Sequence, residues 1–379
     1  MSWDAARRMD GIERTLIRRI FDAAPPDAIN LGLGQPDLPT PPKFALAGIA
    51  GITAGRTGYT STAGDPAVRA AVARRYPSIA SGPDNVVITI GSQEAVFTSI
   101  MTLIDPGDEV LVPDPGYPAY PIVVRLLGGL PATYPLRPER SFRLDPGDLL
   151  ARLTPRTRLV VLCSPSNPTG AMDDERDLEP LASALATRGI PWISDEIYSG
   201  FAYDRPAPSI SKFAPEGGIV VSGLSKDLSM TGWRIGWAVG PTRIVARIIA
   251  AHQYVVTCAS SVSQAAALEA LDEGSRTDRA SYLEIFRQRR ALMGDELRRI
   301  DGLPVTTPDG AFYFFIDVRR FGSSLAIAER VLRNRKVILI PGEAFGDGGA
   351  GFLRISYAAR DEDIVRGVGA LGAELAAGA

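Results

Sequence analysis

Lys226 is the candidate for covalent chemistry in this sequence, because it lies between two apolar stretches. Residues 218–221 are apolar and predict a short buried strand, and a second apolar run ends at Val239. Burial disfavours the charged ammonium group and lowers the pKa of a lysine, so that its amine becomes a nucleophile toward carbonyl carbons. Considered alone, a solvated lysine in a loop of glycine and serine residues is the commoner case. Whether Lys226 is a buried, reactive lysine or a solvated one therefore has to be decided from the other residues that are predicted to lie near it.

Polar residues follow the carboxyl ends of successive predicted strands. The repeating order of strands and helices over residues 86–222 predicts a mainly parallel sheet with right-handed crossovers. Ligands of such sheets bind at the carboxyl ends of the strands. The following side chains, each just past the end of a predicted strand, are therefore expected to meet in one crevice: Ser92, Asn167, Asp195 and Lys226.

An anion site is predicted where a strand at Val86–Ile90 runs into a small-residue turn and an apolar helix that ends near Ile104. The free backbone N–H groups of a helix start and the helix dipole both favour a negatively charged ligand. Ser92 and Gln93 lie at this helix start, and the segment lacks the lysine of a nucleoside triphosphate loop. A single phosphate group is therefore the expected ligand.

Three further segments offer binding groups, each with a plainer alternative. Arg354 lies inside an apolar strand and needs an anion, either a ligand carboxylate or an internal salt-bridge partner. Tyr117 lies in the proline-rich loop at residues 113–120 and could stack on a flat ligand or simply pack. The glycine turn containing Gly34 lacks the third glycine of a dinucleotide fingerprint, so it is a loop near a ligand or an ordinary connector.

The composition limits the classes of protein. The chain has 379 residues, with 41 basic and 43 acidic residues and a formal net charge of −2, which argues against nucleic acid or an anionic membrane as the main partner. Its 45% hydrophobic content is sufficient for a large core, and two subdomains are expected. Residues 1–10 lack the apolar core of a signal peptide, and no apolar run has the length of a membrane span. We expect a soluble, cytoplasmic protein.

The rare residue types argue against other chemistries. Cys163 and Cys258 have no metal-ligand spacing, no metal site is expected, and the two residues are interpreted as buried, reduced thiols. The single histidine, His252, argues against a Ser-His-Asp triad and is expected at a helix surface or an interface.

The predicted crevice contains the groups that hold pyridoxal phosphate. A lysine can form a Schiff base, a carboxylate can pair with the pyridinium nitrogen, and a helix start can bind the phosphate. An anionic Asp195 would keep the ring nitrogen protonated, so that the ring delocalises a carbanion at the α-carbon of the substrate. Asn167 and Tyr198 could hydrogen-bond the phenolic oxygen, Arg234 could neutralise the phosphate, and Arg354 could bind the substrate carboxylate.

The sequence resembles the class I/II aminotransferases of pyridoxal-phosphate fold type I, which are similar to aspartate aminotransferase. The resemblance runs from about Leu31 to Tyr357. Four motifs carry it in the family order: SPSNPTG at residues 164–170, SDEIY at residues 194–198, SKDLSMTGWRIG at residues 225–236 and LRISYA at residues 353–358.

The resemblance implies the architecture and the assembly. It implies an α/β fold, in which a large domain with a mainly parallel seven-stranded sheet between helices accompanies a smaller α+β domain. The expected ranges are an N-terminal arm and part of the small domain at 1–39, the large pyridoxal-phosphate-binding domain at 40–272 and the C-terminal small domain at 273–379. The active unit would be a homodimer, in which Tyr59 reaches the phosphate of the partner subunit.

The resemblance also implies roles for the site residues. Lys226 would form the internal aldimine and move a proton between substrate and cofactor, while Asp195 would pair with the pyridine nitrogen. The other expected contacts are Asn167 and Tyr198 at the phenolic oxygen, Tyr117 on the ring, Ser92, Gln93, Ser225 and Arg234 at the phosphate, and Arg354, Asn167 and Gly34 at the substrate.

The expected reaction is transfer of an amino group from an L-amino acid to a 2-oxo acid, with 2-oxoglutarate or pyruvate as the acceptor. Some dicarboxylate-specific members carry a lysine where Gln93 stands, which argues against a dedicated aspartate aminotransferase. Many members carry a serine at the position of Gly223, so Ser222 is not assigned to the phosphate.

The alternative function is that of a C–S β-lyase, or of a natural-product cyclase or tailoring enzyme, that uses the same cofactor. A non-enzymatic regulator is disfavoured, because no basic helix-turn-helix segment precedes Leu31.

Overall fold

The computed structural model describes residues 3–377. The strands are β1 Ile29–Asn30, β2 Val86–Thr89, β3 Glu109–Asp114, β4 Leu130–Pro135, β5 Thr157–Cys163, β6 Trp192–Asp195, β7 Gly218–Gly223, β8 Gly236–Val239, β9 Tyr313–Asp317, β10 Val337–Ile338, β11 Ile340–Pro341 and β12 Phe352–Ser356. The helices are α1 Leu16–Ala23, α2 Pro42–Thr53, α3 Pro66–Arg75, α4 Ser92–Leu103, α5 Ala119–Leu126, α6 Pro146–Leu150, α7 Glu175–Arg188, α8 Thr242–Val256, α9 Ser261–Leu271, α10 Arg276–Arg298, α11 Ser324–Arg335 and α12 Asp361–Ala377.

The seven-stranded sheet confirms the predicted mainly parallel α/β architecture. Its strand order is β2-β8-β7-β6-β5-β3-β4, and β8 runs antiparallel to both of its neighbours while the other pairs are parallel. Strands β2, β6, β7 and β8 are buried along their whole length, in agreement with the mostly apolar residues with which they begin.

The direction of each strand decides which residues reach the edge of the sheet where ligands bind. Strands β2, β3, β5, β6 and β7 all end at this edge, because β2 and β7 flank the antiparallel β8 and therefore point the same way. Strand β8 begins there, so Arg234, just before β8, reaches the same edge as Lys226, just after β7. The hairpin-like reversal from β7 to β8 thus brings both cations to the carboxyl ends of the parallel strands.

A second, smaller sheet positions Arg354. Strand β12 pairs antiparallel with β11 and β9, and Arg354 faces Phe315 of β9 in the register. The short parallel pair of β1 with β10 joins residues 29–30 to the C-terminal part of the chain. A separate apolar cluster of residues from β9, β12, α10, α11 and α12 forms the core of this part. The glycine turn at residues 32–34 directly follows β1 and is thereby held beside β12.

The structure corrects two expectations about the rare residues. His252 does not lie at a helix surface: its side chain is 0% exposed, because it lies on the face of α8 that packs against α4. Cys163 and Cys258 are free thiols, as expected, but both are half-buried rather than buried. None of the helices within residues 3–377 is long and apolar enough to cross a membrane.

Candidate active site

One cavity of about 570 Å³ opens at the carboxyl edge of the large sheet and extends to β12. It brings together eleven of the twelve residues that the sequence assigns to the site: Gly34, Ser92, Gln93, Tyr117, Asn167, Asp195, Tyr198, Ser225, Lys226, Arg234 and Arg354. Tyr59 does not line this cavity, and its side chain is 89% exposed on the surface of the chain. Its expected role toward a partner subunit stays a prediction.

The Lys226 amine projects into the cavity and donates a hydrogen bond to the Gly34 carbonyl oxygen at 2.7 Å. Burial, followed by the nearby guanidinium groups of Arg354 and Arg234, lowers the pKa of Lys226 to about 8, while Asp195 acts in the opposite direction. A substantial fraction of this amine is therefore neutral near physiological pH and able to attack a carbonyl carbon.

Asp195 is a buried carboxylate at the end of β6. It accepts a hydrogen bond from the Tyr120 hydroxyl at 2.8 Å and one from the Ile197 N–H at 3.2 Å. Burial raises the pKa of Asp195 to about 6, although the hydrogen bond from Tyr120 opposes the shift. A cation that takes the place of solvent beside this carboxylate would favour its ionised form. The sequence places Tyr120 in the same stiff loop as Tyr117 but assigns it no contact with Asp195.

Arg354 is 2% exposed and has no carboxylate partner among residues 3–377, so the alternative of an internal salt bridge is wrong. It donates to Asn167 Oδ1 at 2.8 Å and to the Gly32 carbonyl, and its Nε has no hydrogen-bond partner within the described chain. Its guanidinium carbon lies 4.4 Å from the ring centroid of Tyr313 and 4.7 Å from that of Phe345. A buried guanidinium with a free donor requires an anion, and a carboxylate matches its shape.

The start of α4 is a second part of the cavity wall that could bind an anion. Gly91 precedes the helix with a φ of 94°, in the left-handed region that favours glycine. A side chain at this position would lie 2.6 Å from Arg234 Nη2, so glycine also lets the guanidinium approach the turn. Gly236 likewise leaves room for the Ser92 N–H, since a Cβ there would lie 2.6 Å from Ser92 N. The Arg234 guanidinium therefore lies against the turn that leads into α4.

Tyr117 and Gln93 line the cavity together. The Tyr117 hydroxyl donates to Gln93 Oε1 at 2.9 Å, and the Tyr117 ring packs edge-on against Tyr120 with centroids 5.5 Å apart. This hydrogen bond fixes the orientation of the Gln93 amide and leaves its NH₂ group free to donate. The Tyr117 ring is held at the cavity wall, where it can cover a flat ligand.

Tyr313 is a site residue that the sequence analysis missed. Its hydroxyl shares a 2.8 Å hydrogen bond with the Tyr198 hydroxyl, and its ring covers Arg354. A side chain at Gly34 would collide with the Tyr313 hydroxyl, which gives a steric reason for glycine at that turn. In the sequence, the segment around Tyr313 predicts only an aromatic strand, because the role of this residue depends on contacts made across the sheet.

The N-terminal segment also borders the cavity, which the sequence did not indicate. Residues from the start of the chain to the first helix contribute part of the wall: Glu13, Thr15, Ile17, Arg18 and Phe21. Helix α1 is amphipathic and begins at Leu16, where the Thr15 hydroxyl accepts a hydrogen bond from the Arg18 N–H. Leu16 and Ile20 of α1 pack on the main core, and Ile17 and Phe21 both pack on that core and line the cavity beside Arg18.

Comparisons with known proteins agree with this geometry. The family model described as "Aminotransferase class I and II" matches residues 26–371. An aspartate aminotransferase of Pyrococcus horikoshii is 36% identical over 369 residues, covering 95% of this chain and 94% of the relative. A probable N-acetyl-LL-diaminopimelate aminotransferase of Bacillus subtilis is 38% identical over 90% of this chain and 88% of its own.

A solved structure of a double mutant of Thermus thermophilus aspartate aminotransferase superimposes with a TM-score of 0.93 at 31% identity, covering 98% of this chain and all of that chain (100%). The chain belongs to the class I and II aminotransferases. This aminotransferase therefore transfers amino groups between amino acids and 2-oxo acids, as the sequence predicted. The printed names of its relatives differ in substrate, so the comparisons fix the reaction and leave the side chain of the substrate at the level of the family.

The residues of this aminotransferase fit the cofactor that class I and II members use, pyridoxal phosphate. The cavity offers a reactive amine, a buried carboxylate across from it, and a helix start with an adjacent guanidinium for a phosphate. The unpartnered Arg354 Nε adds a place for a substrate carboxylate. No cluster of potential metal ligands occurs in the part of the chain that the structure describes.

The lowered pKa of Lys226 can be tested in the protein prepared without cofactor. We expect acylation of the Lys226 amine by a small reagent to rise with pH and to reach half its maximum near pH 8, because only the neutral amine reacts. Peptide mass spectrometry across a pH series gives the labelled fraction. In urea the same peptide should titrate at the ordinary lysine value of about 10.4. Equal midpoints in the folded and unfolded protein would contradict the environment described for this amine.

Proposed function

We propose that this aminotransferase binds pyridoxal phosphate through Lys226, with the phosphate at the start of α4. The observation that carries the proposal is that the Lys226 amine lines one cavity with the Asp195 carboxylate, with Arg234 and with the first residues of α4, and that the charges of Asp195 and Arg234 both act on this amine. The Lys226 amine would bond to the aldehyde carbon of the cofactor, and Asp195 would pair with the ring nitrogen. The phosphate would be bound by Ser92, Gln93, Ser225 and Arg234. The remaining ring contacts would come from Tyr117, Asn167 and Tyr198.

The bound cofactor would supply an electron sink for the carbanion formed at the α-carbon of an amino acid. The chain's own residues would do the rest. Arg354 binds the α-carboxylate and thereby fixes the orientation of the substrate, while Gly34 borders it with backbone. The Lys226 amine, mostly neutral above about pH 8, would take the proton from the α-carbon of the substrate and deliver it to the cofactor side of the reacting group. An ionised Asp195 would hold a protonated ring nitrogen and so favour loss of the α-proton.

The proposed donor is an L-amino acid, and the proposed acceptor is 2-oxoglutarate or pyruvate. Arg354 supports the choice of α-carboxylate substrates, since it is the buried cation without a carboxylate partner in residues 3–377. Gln93 presents a neutral amide to the cavity, so it adds no charge for a second carboxylate. The names of the relatives, which include aspartate and N-acetyl-LL-diaminopimelate aminotransferases, are compatible with several donors.

The covalent assignment is tested by reducing the purified holoprotein with borohydride, which makes the bond between the lysine and the cofactor permanent. We expect the pyridoxyl label on the peptide that contains Lys226, and no label in Lys226→Ala. Arg354→Ala should keep the label, because Arg354 contacts the substrate, while KM for the amino acid rises roughly 10- to 100-fold, the scale of lost charge-assisted hydrogen bonds. Labelling of a different lysine would reject the assignment.

Transamination is distinguished from the alternative of a β-lyase by a single half-reaction. Holoenzyme mixed with an amino-acid donor, without an acceptor, should convert its bound cofactor to the amine form and release one equivalent of the matching 2-oxo acid. Absorbance follows the cofactor, and chromatography of the products follows the oxo acid. Release of ammonia together with turnover in the absence of an acceptor would instead indicate elimination. A panel of donors scored in this way also ranks their side chains.

We also propose that the active unit is a homodimer. Helix α2 packs on α9 with its buried side, and its outer side exposes Leu46, Ile49 and Ile52, whose exposures are 61%, 56% and 53%. These residues lie three apart and form one apolar stripe, a feature that typically marks a protein interface. Tyr59 is exposed in the loop that follows α2, which supports its proposed reach to the phosphate in the partner's site.

Charged substitutions on this stripe should separate the subunits. We expect Ile49→Asp and Ile52→Asp to reduce the mass measured by light scattering from twice 40.4 kDa toward 40.4 kDa. Val365→Asp is the matched control, because Val365 is an exposed apolar residue of α12, away from α2. Tyr59→Phe should weaken pyridoxal phosphate binding without changing the mass. A wild-type protein that already has the mass of one chain would reject the proposal.

Two broader proposals accompany the function. The chain is proposed to divide into the ranges 1–39, 40–272 and 273–379, and each range contributes a residue to the cavity, namely Gly34, Lys226 and Arg354. The free thiols of Cys163 and Cys258 support placement in the reducing cytoplasm.

A further inference from the structure

A buried pair formed by Glu94 and His252 lies behind the start of α4, and nothing described above assigns it a role. Glu94 Oε1 lies 2.6 Å from His252 Nδ1, and the two side chains are almost completely inaccessible to solvent. An ionised carboxylate can only accept a hydrogen bond, so Nδ1 of the imidazole is the donor. The opposite ring nitrogen, Nε2, has no partner within residues 3–377. The pair therefore joins α4 to α8 through a single short hydrogen bond.

The second oxygen of Glu94 holds the turn that precedes the helix. Glu94 Oε2 accepts a hydrogen bond from the Ile90 N–H at 2.8 Å, so this third residue of α4 reaches back across Gly91. The arrangement is close to a capping box, in which an acidic residue in the first turn satisfies an N–H ahead of the helix. Thr89 adds a hydrogen bond from its hydroxyl to the Gly91 carbonyl at 3.0 Å. Glu94 thus fixes the backbone on which the Ser92 N–H depends.

The buried carboxylate of Glu94 has His252 as a second hydrogen-bond partner, besides the Ile90 N–H. A carboxylate in the first turn is favoured by the helix dipole, but it lies close to where the phosphate would bind and would repel it. The imidazole of His252 engages the carboxylate from the side of α8, within the buried interior. The hydrogen bond directs Glu94 away from the cavity, and neither residue lines that cavity.

We propose that Glu94 and His252 are positioning residues, which hold the turn at residues 90–92 in the conformation that binds the phosphate of the cofactor. This inference rests on the proposed function, because it assumes that the phosphate lies at the start of α4. Neither residue touches the cofactor. Helix α8 follows β8, and Arg234 precedes β8, so one continuous segment supplies both the guanidinium for the phosphate and the imidazole behind the turn.

The test compares two ligands that differ only in the phosphate. The protein without cofactor is titrated with pyridoxal phosphate and, separately, with pyridoxal, and the absorbance change gives each Kd. We expect His252→Ala and Glu94→Ala to weaken pyridoxal phosphate by about tenfold or more, the scale of one lost hydrogen bond to a charged group. The Kd of pyridoxal should change by less than about twofold, because pyridoxal makes no use of the turn.

Conservative variants separate positioning from simple packing. His252→Gln retains a donor for the carboxylate, and Glu94→Gln retains an acceptor for the Ile90 N–H, so each should recover most of the affinity for pyridoxal phosphate. Thr98→Val is the matched control: Thr98 is buried in α4, and its hydroxyl donates to the Glu94 carbonyl at 2.8 Å, away from the turn. It should lower the Tm without changing the ratio of the two Kd values.

The outcomes distinguish this inference from the proposed function. If wild type prefers pyridoxal phosphate and the alanine variants keep that preference, or lose affinity for both ligands equally, the positioning role is wrong and the proposed function stands. If wild type does not distinguish pyridoxal phosphate from pyridoxal, the phosphate does not bind at the start of α4, and both are wrong. If the alanine variants do not fold, His252→Phe decides, because it keeps a buried ring but removes the donor to Glu94: a Kd that rises for pyridoxal phosphate and not for pyridoxal would support the proposal, and an unchanged ratio of the two Kd values would contradict it.

Discussion

Lys226, Arg234 and Arg354 lie in one cavity beside Asp195, and the cost of leaving these positive charges uncompensated determines much of what surrounds them. Asp195 is the buried carboxylate in the wall of this cavity. The buried guanidinium of Arg354 is stabilised in part by the rings of Tyr313 and Phe345. It also donates hydrogen bonds to Asn167 Oδ1 and to the Gly32 carbonyl oxygen. Lys226 compensates by a lowered pKa, which makes its amine reactive. The remaining excess of positive charge favours anionic ligands, and a phosphate and an α-carboxylate would satisfy it.

The sheet topology explains why so many polar groups can meet without loops of great length. Strands that end at the same edge deliver Ser92, Tyr117, Asn167 and Asp195 from separate parts of the chain. The one antiparallel strand, β8, is what brings Arg234 to that edge, since a parallel strand would place the residue before it at the opposite edge. Glycines then decide how closely the groups approach, as Gly91 does for Arg234 and Gly34 does for Tyr313.

The sequence predicted the groups that follow strands better than the groups that depend on contacts between distant segments. Lys226 and Asp195 could be placed because a charged residue directly after a buried run lies at the strand end, where ligands of such sheets bind. Tyr313 could not, because its role arises from pairing with Tyr198 across the cavity. Of the two places expected for His252, a helix surface or an interface, the surface is wrong for the same reason: a helical pattern shows which residues share a face, but the acidic partner of this buried residue lies on another helix, at Glu94.

Asn167 lies in the cavity in direct contact with Arg354. Its Oδ1 accepts from Arg354, and this leaves its NH₂ group as the donor for whatever lies on the other side. A phenolate oxygen of the proposed cofactor would match that donor, whereas the opposite orientation of the amide would place an oxygen against it. The Tyr198 hydroxyl has one hydrogen atom to donate and shares a hydrogen bond with the Tyr313 hydroxyl. Tyr198 can therefore donate to the phenolate oxygen of the proposed cofactor only if Tyr313 is the donor in the bond between the two tyrosines. Arg354 and Tyr313 therefore determine which way the hydrogen bonds of Asn167 and Tyr198 point, so the group proposed to bind the substrate carboxylate would also set the polarity of the proposed contacts to the ring.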